Sequence, residues 1–217
     1  MDFASMAKYT PLFVKGLKVT VQISFVAVFI GVIVGLFMAL LKLSSIKVLS
    51  WAANIYIQII RGTPVLVQLY IIYSGTYPLF GFNIPPYIAA IVTFGLNSSA
   101  YVAEIIRSGI QSVDKGQTEA SRSLGLTSNQ TMRHIIMPQA VKNILPAMGN
   151  EFVTLIKETS VASTIGVADL MYASKIVQST SFQPFDPLVI VAGIYFIFTF
   201  SLSQLIGVFE RRLAHND

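Results

Sequence analysis

The chain has no cysteine, one tryptophan and two histidines, and only 12% of its 217 residues are charged. The missing thiols exclude disulfides, thiolate metal sites and a cysteine nucleophile. The shortage of charge excludes more. An average soluble domain has about 25% charged residues, whereas here 54% of residues are hydrophobic and the mean hydropathy is +0.68. That balance argues against a soluble protein. No G-x-x-x-x-G-K-[ST] sequence occurs, so the chain has no P-loop to cradle nucleotide phosphates. The net charge is +5, but binding a phosphate backbone needs cations clustered on a wetted face. In so apolar a chain the basic excess points to membrane orientation, not to nucleic acid.

About 20 apolar residues cross a bilayer as a helix, so the length allows several spans and their loops within one transmembrane domain, residues 1–217. The start, MDFASMAKYTPLFVKGLK, lacks the apolar core and small-residue cleavage site of a signal peptide, and the first span is expected to be retained. That span covers residues 19–41, with Gly31 and Gly35 as a small-xxx-small pair suited to close helix contact. The next apolar stretch is interrupted by Arg61-Gly62-Thr63-Pro64. Arginine at mid-bilayer is costly, whereas near a helix end it can snorkel to headgroups. The expectation is an interfacial half before Arg61 and a crossing over Val65–Phe80, with Thr63 as N-cap and Pro64 as first helical residue.

A third span covers 87–106, where Asn97, Tyr101 and Glu104 recur at i, i+4 and i+7 on one helical face. A polar, basic connection follows over 107–142. Apolar character returns at 144–156, breaks at Lys157-Glu158-Thr159-Ser160 and resumes, as in interrupted helices that line a cavity. A last span covers 188–209 and ends in Glu210-Arg211-Arg212. Weighing Lys and Arg at the span ends places the 107–142 loop, the Lys42/Lys47 turn and the C-terminus in the cytoplasm. Five crossings with the N-terminus outside follow. Lys8, Lys15 and Lys18 then fall outside, read as an amphipathic helix on the membrane surface. No internal repeat suggests inverted halves.

The basic loop contains Glu119-Ala120-Ser121, then Gly125 after three residues, Ile135 after nine more, and Met137-Pro138. This spacing resembles the EAA motif of ABC-importer permeases, with Ser121 in place of the second alanine and Met137 in place of leucine. A short helix over 117–124 stopped by Gly125, then a second helix capped by Thr127 or Ser128, would make a rigid knob able to seat in a cytoplasmic partner. Glu119, Ala120, Ser121, Leu124, Gly125 and Pro138 are its expected coupling residues. Glu119 and Arg122, at i and i+3, can also pair with each other on a solvated face. His134 reads as a surface residue, since no second metal ligand stands at matching spacing.

Ile60–Pro64, with Arg61 and Pro64 as gate or structural residues, Ala100–Arg107 and Leu155–Ser160 look like the corresponding stretches of polar amino-acid permeases, the group importing histidine, arginine, glutamine and similar substrates. The resemblance covers nearly the whole chain. It implies an all-α, five-span permease of the type I ABC-importer fold in a bacterial cytoplasmic (inner) membrane. It also implies a second permease copy, identical or closely related, two ATPase subunits that bind ATP and Mg, and an extracytoplasmic solute-binding protein. This chain itself would hold no cofactor or metal and catalyse nothing.

An amino-acid zwitterion needs donors for its carboxylate and acceptors for its ammonium. Candidates are Asn97, Ser98, Tyr101 and Glu104 in the third span, and Lys157, Glu158, Thr159, Ser160, Ser163 and Thr164 at the interruption. If the chain unwinds near Thr159-Ser160, the next half-helix would aim its first amides at a substrate carboxylate. Glu104 could instead bridge to Lys157 or Arg107, and Lys157 and Glu158 point to different sides. An unpaired acid at ~4 Å from a cation gains about 4 kcal/mol at an effective dielectric near ~20, before desolvation. This favours arginine, lysine or histidine, although the same acids could hold the α-ammonium of glutamine or glutamate. An ion-coupled transporter or channel acting alone would leave the knob without a purpose, and a scaffold subunit of a membrane enzyme would lack any haem, quinone or metal constellation.

Overall fold

The computed structural model describes residues 6–214. After one 3-10 turn (Ala7–Tyr9), helix α1 runs without a break over Thr10–Lys42. Its 33 residues extend about 50 Å, well beyond the about 30 Å of a hydrocarbon core. Lys15 and Lys18 therefore belong to the first turns of the same unbroken helix as the first span, not to a separate surface helix as expected. Gly16 explains why this end is held: a Cβ there would lie 2.7 Å from the carbonyl oxygen of Asp169. The backbones touch, and the end of α1 is clamped into the fold.

Helices α2 (Lys47–Gly62) and α3 (Val65–Phe80) meet at an angle of 104°. The break falls where the sequence places it, but its chemistry differs. Proline disfavours the helical region for the residue before it, so Thr63 is extended (φ −119°, ψ 143°) and closes α2. Pro64 is extended as well and occupies the N-cap position; the first helical residue is Val65. The Thr63 hydroxyl donates back to the Ile59 carbonyl (2.9 Å) instead of capping α3.

Helix α4 (Pro86–Gln111) is the axis of the fold. α1 lies along it through Gly31, Gly35 and Gly95; a Cβ on Gly31 would lie 2.8 Å from that of Ser98, and one on Gly35 2.8 Å from the Ser99 carbonyl oxygen. The expected small-residue contact is present. α2 and α3 serve different halves of α4: Ile57 shares a buried cluster with Ala39, Ala100 and Ala103, while Leu69 shares another with Ile23, Ala89 and Phe94.

Beyond α4 come α5 (Lys115–Ser123), α6 (Ser128–Thr131), a wide turn (Met132–Ile136) and α7 (Met137–Glu158). A 3-10 segment (Thr159–Ile165), α8 (Leu170–Ser181) and α9 (Asp186–Ala214) complete the chain. There is no strand among the described residues. Among the described residues three helical stretches are long and apolar enough to cross a membrane alone, Ala7–Lys42, Pro86–Gln111 and Asp186–Arg212, and the bent α2–α3 pair makes a fourth if it counts as one span. The interrupted fourth segment of the sequence is built from α7, the 3-10 segment and α8.

Candidate functional site

The basic loop folds into a compact knob whose rigidity has identifiable causes. Asp114 caps α5, its Oδ1 accepting from the Gly116 amide (2.7 Å). At the other end Gly125 takes φ +88°. The Leu126 amide donates to Ser121 (3.1 Å) and the Gly125 amide to Arg122 (3.0 Å), the paired bonds of a Schellman stop. Thr127 and Gln130 then form a reciprocal capping box for α6.

Ser121, where the motif commonly has alanine, is buried and donates to the Thr131 hydroxyl (3.1 Å), tying the two short helices together. Glu119, Ala120 and Leu124 face outward, and Leu124 is 81% exposed. Arg122 donates to the Leu126 carbonyl (2.6 Å) instead of pairing with Glu119. His134 is exposed, with Nδ1 3.0 Å from the Gln130 carbonyl oxygen. Pro138 sits in the first turn of α7, and Gly109 of α4 lets α7 approach so closely that a Cβ there would lie 2.4 Å from Ile144. The base of the knob is thereby packed directly against the bundle.

Inside the bundle, polar groups gather around the α2–α3 break. The Gln68 amide nitrogen donates to the Ile60 carbonyl (2.7 Å), the Thr63 carbonyl (3.1 Å) and the Thr63 hydroxyl (2.9 Å). Its oxygen accepts from Asn97 (3.1 Å). One side chain thus satisfies the carbonyls that the break leaves open. Tyr101 lies under the Arg61 guanidinium, 5.3 Å from ring centre to Cζ. Glu104 receives Lys42 of α1 at 3.0 Å and Arg107 of its own helix, with Arg61 of α2 at 4.0 Å. The shared face of Asn97, Tyr101 and Glu104 is real, and it looks onto the break. Lys42 and Arg61 join Arg107 as the partners of Glu104; Lys157 does not.

Gln68→Leu should therefore be costly. It leaves two carbonyls without donors and the Asn97 amide without its acceptor, at about 1–3 kcal/mol for each unpaired group. A clear fall in the melting temperature of the purified protein is expected, and unchanged melting would contradict this role.

A second polar group lies on α7. Asn150, Thr154 and Lys157 are exposed, with Glu151 and Glu158 half-buried beside them. Ser98, fully buried under Gly31, sits next to Glu151, and the Arg61 and Glu158 charges are within electrostatic reach of that carboxylate. Sequence reasoning passed over Glu151 and Gln68. Ser160 is half-buried and Thr164 exposed, its hydroxyl turned to the Val161 carbonyl. Ser163 is buried, and Thr159 faces Ser24 of α1 at 3.4 Å.

The first amides of α8 are not free for a substrate carboxylate. Asp169 accepts from Tyr172 (2.7 Å), and Leu170 donates to the Thr20 hydroxyl of α1 (3.1 Å). The segment is interrupted, but later than expected: Lys157 and Glu158 are still helical, the chain tightens to 3-10 over Thr159–Ile165 and breaks only at residues 166–169, and the half-helix after it is capped by the chain's own groups.

A helical bundle that gathers ionisable groups inside it, and whose rigid projection bears the Glu-Ala-X3 pattern of spacing, has the make-up of a membrane transport subunit. Comparison with known proteins agrees. Residues 31–215 match the family described as "Binding-protein-dependent transport system inner membrane component". The arginine transport system permease protein ArtQ of Bacillus subtilis is 39% identical over 217 residues, covering 100% of this chain and 99% of that protein. A putative glutamine transport system permease protein GlnP of Rickettsia bellii is 38% identical over 214 residues, covering 97% and 98%. The crystal structure of an amino acid ABC transporter with histidines superposes with a TM-score of 0.95 at 55% identity, covering 98% of this chain and 99% of that one. A methionine ABC transporter structure shares the fold at 21% identity and a TM-score of 0.71. The chain belongs to the binding-protein-dependent transport system inner membrane component family, and it is an amino-acid ABC transporter permease. Members of this family work with ATPase and binding-protein partners.

Proposed function

We propose that this chain is the five-crossing permease of an ATP-driven importer of polar, chiefly basic, L-amino acids, with its N-terminus outside and its C-terminus in the cytoplasm of a bacterium. The observation that carries the reading is the polar face of α7. Exposed Asn150, Thr154 and Lys157 beside Glu151 and Glu158 cannot face lipid without large cost. A second permease copy covers this face, and the substrate passes between the two by alternating access. Lys157 takes the substrate carboxylate, one glutamate takes the α-ammonium, and the other is left for a cationic side chain. Ser98, Ser160, Ser163 and Thr164 complete the lining. Asn97, Tyr101, Glu104, Arg61 and Pro64 hold the broken helix that gates it.

Glu119, Ala120, Ser121, Leu124, Gly125 and Pro138 form and mount the knob that seats in one of two ATPase subunits, which hold ATP and Mg. Relatives named for arginine and glutamine, and a solved one with histidines, support a polar substrate; the second acid on α7 favours a basic one over glutamine. The test is reconstitution of the complex in proteoliposomes with candidate receptors. Arginine, lysine or histidine should stimulate ATP hydrolysis and uptake more than glutamine or glutamate does. Uptake by this chain without ATPase partners would overturn the importer reading, and a stronger response to glutamine would overturn the basic preference.

A further inference from the structure

At the end of the bundle away from Asp169, the turn from α1 to α2 and the last turns of α4 enclose a groove of about 510 Å³. Lys42, Lys47 and Arg107 line it together with Ser44, Ser45 and Trp51, and no acidic side chain does. The cations are not equivalent. Lys42 and Arg107 reach inward to Glu104, and their side chains are only 16% and 26% exposed. They are fixed in position and share one counter-charge. Lys47 is exposed and has no partner among the described residues. The groove thus keeps an uncompensated positive charge at its rim.

The frame of the groove is built, not loose. Ser50 donates to the Lys42 carbonyl (2.8 Å), and the Ile46 amide donates to Ser44 (3.2 Å). The adjoining face of α2 is apolar and turned outward: Val48 is 72% exposed, Trp51 67% and Ile59 57%. With Ile55 these residues follow i, i+3, i+7 and i+11, a single stripe leading away from the cations. A soluble anion would use only the charged end. An amphiphile uses both, with its phosphate among the cations and its acyl chains along the stripe, as basic pockets at the cytoplasmic side of membrane helices hold lipid headgroups.

We infer that this groove binds the headgroup phosphate of an anionic phospholipid from the cytoplasmic leaflet. The inference rests on the orientation proposed above. The bound lipid neutralises Lys47 and braces the α1–α2 turn, whose Lys42 clamps Glu104 opposite the broken helix.

Trp51 is the only tryptophan in the chain and stands at the groove, so it reports on the lipid directly. The whole transporter complex is placed in vesicles of phosphatidylcholine with a fixed fraction of phosphatidylglycerol, with bromine on the acyl chains of one lipid or the other. Fluorescence from other subunits is removed by subtracting a Trp51→Phe complex. Brominated phosphatidylglycerol should quench Trp51 with about fivefold or greater preference over brominated phosphatidylcholine at equal mole fraction. Lys47→Gln should bring that preference close to parity, and Lys47→Glu should turn it towards phosphatidylcholine. Equal quenching by the two lipids, or a preference that survives both substitutions, would overturn the site. Loss of the preference in millimolar glycerol 3-phosphate would assign the groove to a soluble phosphate and overturn the lipid. Labelling of Lys47→Cys by an impermeant thiol reagent from the outer side would overturn the leaflet and the proposed orientation. None of these readouts depends on which solute is transported.

Discussion

Gly125→Val should sever ATP hydrolysis from uptake or prevent the ATPase subunits from binding, lowering transport more than tenfold, whereas Gly125→Asn should retain most of it. Gly125 adopts φ +88°, and a Cβ added there would meet nothing within 4 Å. The penalty for valine is therefore in the backbone and not in crowding. A non-glycine residue held in the left-handed region costs about 1–3 kcal/mol, and a β-branched one lies at the severe end. That is enough to favour opening of the Schellman stop, releasing the Leu126 and Gly125 amides from Ser121 and Arg122. Once α5 can swing, the exposed Leu124 no longer stands at a fixed place relative to the Ser121–Thr131 bond. Asparagine tolerates the left-handed region far better, so the pair of variants separates conformation from side-chain bulk. The measurement is substrate-stimulated hydrolysis and uptake in the same proteoliposomes, with co-purification of the ATPase as a check on assembly. Normal coupling in Gly125→Val would remove the knob from the mechanism.

The knob was legible because its devices are local. A stop at glycine and a Thr-x-x-Gln capping box are written in adjacent residues, and helix ends obey them wherever the helix sits. The break at Arg61–Pro64 and the glycine seam of α1 on α4 were legible for the same reason. Pairings across the bundle were not. Glu104 and Lys42 are 62 residues apart, and only the level at which two spans end brings them together. Both stand near charged ends of their spans, which is the signal that would have found the pair. Gln68 carried a signal too: a lone amide side chain just past a proline break in an apolar stretch is placed to serve the open carbonyls. Glu151 stood inside a segment read simply as apolar, although an ionisable residue within a span is by default a functional candidate. That Lys15 and Lys18 continue α1 is not legible in their charge, because what holds that end is the backbone contact at Gly16, with residues more than 150 positions away.

Glu151→Gln should weaken transport of a cationic amino acid at least tenfold while changing that of a neutral polar one less than threefold; Glu104→Gln should harm both alike. The two acids differ in what already holds them. Glu104 is engaged by Lys42 and Arg107, with Arg61 beside it. Removing its charge leaves three cations crowded without an acid; the cluster is only partly buried, so the cost is below the ~3–5 kcal/mol of a fully buried pair. The loss falls on the packing of α1, α2 and α4 and does not depend on the substrate. Glu151 has the Ser98 hydroxyl beside it, and the polar face of α7 that it borders is exposed. In the proposed function its carboxylate is the one left for a ligand. An added cation at ~4 Å gains about 4 kcal/mol at an effective dielectric near ~20 before desolvation, so even after that penalty a tenfold discrimination is a modest demand. The decisive comparison is the ratio of arginine to glutamine uptake in each variant, with melting temperature measured in parallel. An unchanged ratio in Glu151→Gln would move the cation-binding acid to Glu158, and a ratio shifted in Glu104→Gln without loss of thermal stability would return Glu104 to the substrate path.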